Sequence, residues 1–295
     1  MSTVGQIIDR AQRQLMSGTV EERNKLASSV SATATTLVMT YDLGGMHPGT
    51  LIQIDSEIMY VWESTPGTKT VVVERGQNGS TAAAHSASDV VTVNPKFPRN
   101  QILEAINDEL ADLGSPMNAL FQVKNLDFTY NASRRQVNLQ VIGEIIDIVD
   151  VRYRYIATDY KSVNNAKLMR NMPTKDFPSG YALRVDSIIP SSEMRVTYKA
   201  PFTRVTQEND NLQNIAGFPE SAEDILIMGA QIRLVAPREV KRNFSESQGD
   251  TRRAEEVPNG AIANSIVNLI RMRRDRITAE AARLARQYPT YLNRL

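Results

Sequence analysis

The stretch Ile54-Asp55-Ser56-Glu57-Ile58-Met59-Tyr60-Val61 decides how the first third of this chain folds. It continues through a Pro66-Gly67 turn and Thr70 to Glu74 into Arg75-Gly76-Gln77-Asn78-Gly79-Ser80-Thr81-Ala82-Ala83-Ala84-His85. Leu51, Ile54, Ile58, Tyr60, Val71 and Val73 fall in short strand-forming runs, and Pro-Gly and Asn-Gly are strong turn signals. Gly49 to Val93 therefore predicts a small antiparallel meander or barrel. No chemistry is needed to explain it. Arg75 and His85 suffice to tie a loop to a strand, and a role in an exposed functional loop stays open beside that reading.

On either side the texture is helical. Val4, Ile7, Ile8, Ala11 and Leu15 stand at helical spacing, so residues 3 to 17 predict a helix stopped by Gly18. Pro98 suits an early helix position ahead of Ile102, Leu103, Ile106, Leu110 and Leu113, which predicts a helix over 98 to 114. Past Pro219, Ser221 and Asp224 resemble a capped start, and Ile225, Met228, Ile232 and Val235 form a stripe; Pro237 is expected to kink this helix of 221 to 244. A last helix over 258 to 287 carries Ile262, Ile266, Leu269, Ile270, Ile277, Ala281, Leu284 and Tyr288. Phe121 to Val205 reads instead as five or more alternating strands, with Asn164 to Pro178 as an irregular arm.

The fold class expected is α+β: a bundle of four amphipathic helices with two inserted antiparallel β-modules, the second a larger sandwich or barrel. The helical body takes 1–25, 96–118 and 219–295, the small β-module 26–95, and the second β-module 119–218. Two polar segments, Val20 to Ala32 and Asn164 to Pro178, are expected to reach across to a neighbouring copy.

At 295 residues with a hydrophobic share of 41 %, the chain can bury real cores. Its formal charge of +1 gives no global pull toward nucleic acid or anionic membrane. The absence of cysteine excludes disulfides, thiolate nucleophiles and thiolate metal sites. No apolar run approaches the roughly 20 residues of a membrane helix. The amino terminus lacks a signal pattern, so assembly in the cytoplasm is expected.

The two histidines, His47 and His85, form no helical zinc pair, and no metal site or cofactor is expected. Asp55 and Glu57, two apart, are expected on one face of a strand, where they would mimic a glycosidase carboxylate pair or form a solvated face. No nucleophile elbow, phosphate loop or dinucleotide fingerprint occurs. Arginines crowd the last third. Arg271, Arg274 and Arg283 have acidic neighbours in Asp275 and Glu280 and would form ion pairs, dock an acidic partner or meet DNA phosphates.

The run from Asp55 to Val61, the turn, and Val73 through the Arg75-Gly76 pair to His85 resembles a module of tailed-bacteriophage neck and tail proteins. Helices with inserted β-modules, and the Gln248 to Pro258 and Arg274 to Leu284 segments, are similar to siphovirus-like head-to-tail adaptors, or neck connectors. That resemblance implies a non-enzymatic virion protein: a dodecameric ring beneath the portal protein that joins the DNA-filled head to stopper, tail-terminator or tail-tube proteins. DNA would pass through its lumen, with non-specific contact. The same resemblance makes Pro258 to Leu295 the portal-facing element, with Arg271, Arg274, Arg276, Arg283, Arg286, Tyr288, Tyr291 and Leu295 docking. Arg75, Gly76, Gly79 and His85 mark the β-module loop. Two alternatives stay open: a tail-tip or baseplate protein whose 120 to 205 segment binds glycan, and an enzyme cleaving cell-wall glycan with Asp55 and Glu57.

Overall fold

The computed structural model describes residues 2–16, 20–131, 135–140, 143–157, 159–163, 165–186, 189, 193–247 and 261–289, without the side chains of 237–247 and 261–264. The fold is mixed α+β with three buried cores.

The first core is helical. Helix α1 (Val4–Leu15) opens with a capping box in which Thr3 and Gln6 satisfy each other's backbone N–H groups, and it buries Val4, Ile7, Ile8 and Ala11. Helix α2 (Arg99–Leu113) follows Pro98, whose fixed φ suits the position before the first turn, and ends at Gly114. Helix α3 (Leu212–Ala216) is short and closes on Gly217 at φ 73°. Helices α4 (Glu223–Ser247) and α5 (Ala261–Gln287) complete the set. Ile7, Ile106, Leu226, Ile277 and Leu284 share one cluster with Phe202 and Phe218, whose rings meet edge to face at 5.0 Å. Each fully buried aliphatic side chain contributes about 1.5–3 kcal/mol.

Helix α4 departs from the expected stripe. Ile225 is buried, but Met228, Ile232 and Val235 are only partly covered, and the deep positions are Leu226, Ile227 and Ala230. The reason is its place: α1, α2 and α5 all pack on it, so no single stripe describes its burial. The segment 201–218, grouped above with the second β-module, supplies Phe202, Val205, Leu212, Ala216 and Phe218 to this helical core.

The first β-module contains β1 (Arg23–Lys25), β2 (Thr36–Val38), β3 (Leu51–Ile54), β4 (Glu57–Thr65), β5 (Thr70–Glu74) and β6 (Val90–Val93). They form one antiparallel sheet in the order β1-β6-β3-β4-β5-β2. The sheet curls until its ends meet: Ala27 N–H donates to Val38 O and Thr40 N–H to Lys25 O, both at 2.8 Å. Its concave side packs Leu26, Leu37, Ile52, Ile54, Met59 and Val71. Arg23–Lys25, assigned above to the helical body, belongs to this sheet.

The second module has β7 (Gln122–Thr129), β8 (Gln136–Asn138), β9 (Asp147–Ile156), β10 (Asp159–Ser162), β11 (Ala166–Met169), β12 (Ala182–Val185) and β13 (Glu193–Ala200). The antiparallel sheets β10-β9-β13-β7 and β11-β12-β8 share one core of Ile148, Val151, Leu183, Val185, Met194 and Val196. Strand β13 alternates buried and half-exposed residues along most of its length, the period-two pattern that made this region legible.

Both expected inter-subunit arms fold onto their own chain. Val20–Ala32 contributes β1 and the Val30–His85 bridge; Ala166–Met169 pairs with β12, and Met172 N–H donates to Gly180 O. Their polar composition reflects strands with an exposed face, which composition alone cannot separate from loop.

Candidate functional site

The Arg-Gly-x-x-Gly run builds a buried polar latch around one carboxylate. Glu57 opens β4 with its side chain 1 % exposed, so every lone pair it carries into the interior needs a donor. Five are supplied. Arg75 donates through Nε and Nη2, each at 2.7 Å; Gly76 N–H donates at 3.2 Å, Ala83 N–H at 3.0 Å, and His85 Nε2 lies at 2.9 Å. Arg75 also donates to the carbonyls of Ser31, Ala34 and Ala83. One guanidinium therefore fixes β4 and two connecting segments, one holding Ser31 and Ala34 and the other Ala83, a geometry that the planar fork of arginine provides and lysine does not.

The glycines follow from that path. Gly76 sits at φ 64° and Gly79 at φ 80°, with Asn78 between them at 52°, so the chain turns back sharply enough for Ser80 to contact Ile58. A Cβ on Gly76 would crowd Ser80 O at 3.2 Å. His85 pairs with Val30 through backbone hydrogen bonds in both directions at 2.9 Å, which places its ring between Glu57 and Asp55.

The expected carboxylate pair is corrected. Asp55 lies in the β3–β4 turn at φ 50° with its side chain 71 % exposed, while Glu57 is buried, and the imidazole stands between them. Burial pushes the Glu57 carboxyl up, but the hydrogen bonds from Arg75, His85 and Ala83 outweigh it and hold it at about 2. Hydrogen bonds to Asp55 and Glu57 raise His85 to about 9. The same bond from His85 lowers Asp55. Asp55, His85 and Asp89 offer ligand atoms within 4.8 Å of one another, but a cation there must displace the proton that Nδ1 shares with Asp55.

A pH dependence follows. The folded His85 binds its proton more tightly than an ordinary imidazole of 6.5, so its stabilisation is complete below 6.5 and lost as pH rises through about 9. Glu57 acts oppositely, stabilising above its ordinary 4.5 and losing that contribution as pH falls through about 2. Thermal melts should show the first β-module losing on the order of 3 kcal/mol across the upper window. His85→Asn should flatten that limb; an unchanged slope in the variant would assign it to another group.

A second polar centre holds α5 to the body. Glu109, with its side chain 1 % exposed, accepts from Arg273 at 2.5 Å and Arg233 at 3.3 Å, and Arg273 also reaches Asp112 at 2.5 Å. Burial raises the Glu109 carboxyl against the pull of Arg273. Space for it comes from Gly229 on α4, where any Cβ would overlap Glu109 Cγ, Cδ and Oε2. The sequence reading missed Glu109, although its signal was present: Ile102, Ile106, Glu109 and Leu113 follow a three-four spacing, which puts an acid on the apolar stripe.

The expected docking residues divide. Arg276 is bidentate with Asp224 at 2.6 and 3.0 Å, joining α5 to α4. Arg283 pairs with Glu280 three residues back and with Gln287, and Tyr288 packs half-buried against the helical core. Arg271, Arg274 and Arg286 are exposed and have no ion-pair partner among the described residues. Tyr291 and Leu295 lie outside the described residues. None of the described docking side chains on α5 meets the Glu57 latch, so the loop residues and these helix residues form separate features. No described helix is long and apolar enough to cross a membrane. The chain matches no protein-family model, and no curated protein matches it.

Proposed function

We propose that this chain is a structural virion protein, a head-to-tail adaptor of a tailed bacteriophage that forms a ring beneath the portal and connects the head to the tail. The observation that carries this reading is topological. Two β-modules leave and rejoin one helical body, in the α1–α2 and α2–α4 connections, and α1, α2, α4 and α5 share its core. This is the organisation that the resemblance of the Asp55 to His85 run implies for a four-helix adaptor body. In this reading the latch shapes a rigid β-module, and it performs no reaction.

The α5 arginines that meet no acid among the described residues refine the docking surface. Arg273, Arg276 and Arg283 are engaged within the subunit, so Arg271, Arg274 and Arg286 are the α5 arginines without an ion-pair partner among the described residues, left to meet an acidic portal surface. Deleting Arg286 to Leu295, or introducing R271E/R274E/R286E, should give DNA-filled heads without tails in a complementation assay. The isolated triple variant should keep the parental melting temperature, because exposed surface charges contribute little to stability. Normal yields of tailed particles from both changes would remove the docking assignment.

A further inference from the structure

The Glu57 latch uses only one nitrogen of His85. Glu57 already accepts from Arg75, Gly76 and Ala83, so it stands as an acceptor toward the imidazole too, and Nε2 carries the proton between them at 2.9 Å. That fixes the ring and leaves Nδ1 facing the other way, toward Asp55 and Asp89, with the three ligand atoms within 4.8 Å of one another. The two carboxylates come from separate turns. Asp55 heads the β3–β4 turn, 71 % exposed, and Asp89 closes the turn before β6, where one of its oxygens accepts the Ser86 N–H at 2.6 Å and the second stays available. Neither has an ion-pair partner besides His85 among the described residues. Arg99, the other cation that acts on Asp55, is already held by Asp9 and Glu208.

The spacing is informative. Nδ1 and Asp55 Oδ2 are 3.3 Å apart. A hydrogen bond between an imidazolium and a carboxylate closes to about 2.7–2.9 Å, the length found on the Nε2 side. Two ligands that share one cation, each about 2.1 Å from it, stand about 3.0–3.4 Å apart.

We propose that Asp55, His85 and Asp89 hold a divalent first-row transition ion of the zinc type, bound by Nδ1 and one oxygen of each carboxylate. Glu57 then acts as the carboxylate that orients a ligating imidazole through its other nitrogen. The nitrogen ligand selects such an ion over magnesium and calcium, which take oxygen ligands. On binding, the Nδ1 proton passes to solvent and the dication stands between the two carboxylates in its place. The open side of Asp55 gives the ion its entry and leaves room for water to complete the coordination. The ion pins the β3–β4 turn to the loop before β6 and performs no reaction, and its binding does not depend on the adaptor reading. The expectation of no metal site followed from helical histidine spacing, whereas these ligands are gathered by the curled sheet.

The test is calorimetric titration of the metal-free full chain with zinc sulfate. One ion per chain, saturating, is expected. Asp55→Asn and Asp89→Asn keep the shape of each side chain and should each weaken binding roughly tenfold or more. Asp89→Asn should do so at an unchanged metal-free melting temperature, because its amide oxygen still accepts from Ser86. His47→Asn, which removes the other histidine of the chain, should leave binding unchanged. Absence of saturable zinc binding, or full binding in both aspartate variants, would overturn the site. Displacement of zinc by an equal concentration of magnesium would overturn the nitrogen ligand and the site with it.

Discussion

Arg75→Ala should unfold or nearly unfold the first β-module, with a loss of about 3–5 kcal/mol. The Arg75 side chain is 7 % exposed, and its removal strips two donors from a carboxylate that is 1 % exposed. It also leaves the carbonyls of Ser31, Ala34 and Ala83 without their guanidinium. That loss is a large fraction of the 5–15 kcal/mol on which an ordinary domain rests. Arg75→Lys keeps the charge but cannot place a fork on Glu57 and reach three carbonyls at once, so it should recover less than half of the loss. Both follow from denaturant melts. A lysine variant as stable as the parent would show that charge alone, without geometry, holds the latch.

Gly229→Ala should destabilise the helical body by about 2–4 kcal/mol, against the direction of helix propensity. Alanine in a helix interior is ordinarily better than glycine by about 1 kcal/mol. Here the new methyl group would occupy the volume of the Glu109 side chain, whose carboxylate is pinned by Arg273 and Arg233. Either the acid leaves its arginines or α4 moves off α2, and each outcome breaks a buried charge network. Pairing Gly229→Ala with Glu109→Ala should cost clearly less than the sum of the single changes, a coupling of about 1 kcal/mol or more. Strict additivity would mean that the two residues do not share the space.

These two sites also show what was legible in the sequence. Helix positions, strand character and the insertion of both β-modules followed from periodicity and turn chemistry, because those signals are local. The four helix spans expected at 3–17, 98–114, 221–244 and 258–287 are observed at Val4–Leu15, Arg99–Leu113, Glu223–Ser247 and Ala261–Gln287. The helix past Pro219 runs through Pro237. The Arg75 and His85 tie was readable as a structural possibility, but its centre, Glu57, was misread as one half of a solvated pair. Sequence distance hid the reason: the donors come from positions 75, 76, 83 and 85, and only the curled sheet gathers them. Glu109 was legible as an acid on the apolar stripe of α2, but its pairing with Gly229 was opaque for the same cause, since that contact crosses from α2 to α4. The arm at 164–178 failed for another reason. A four-residue strand such as Ala166–Met169, Ala-Lys-Leu-Met, is too short to show a period within a polar surrounding, and tertiary pairing with β12 decides its state.

The adaptor reading rests on where this chain stands in a particle. A cryo-electron reconstruction of the neck, without imposed symmetry at the head–tail junction, tests it most directly. The account predicts a ring directly beneath the portal into which this α+β subunit fits, with α5 and its exposed arginines Arg271, Arg274 and Arg286 turned toward portal density. Density for this chain only at the distal end of the tail would contradict the adaptor assignment and leave those three arginines without the partner proposed for them.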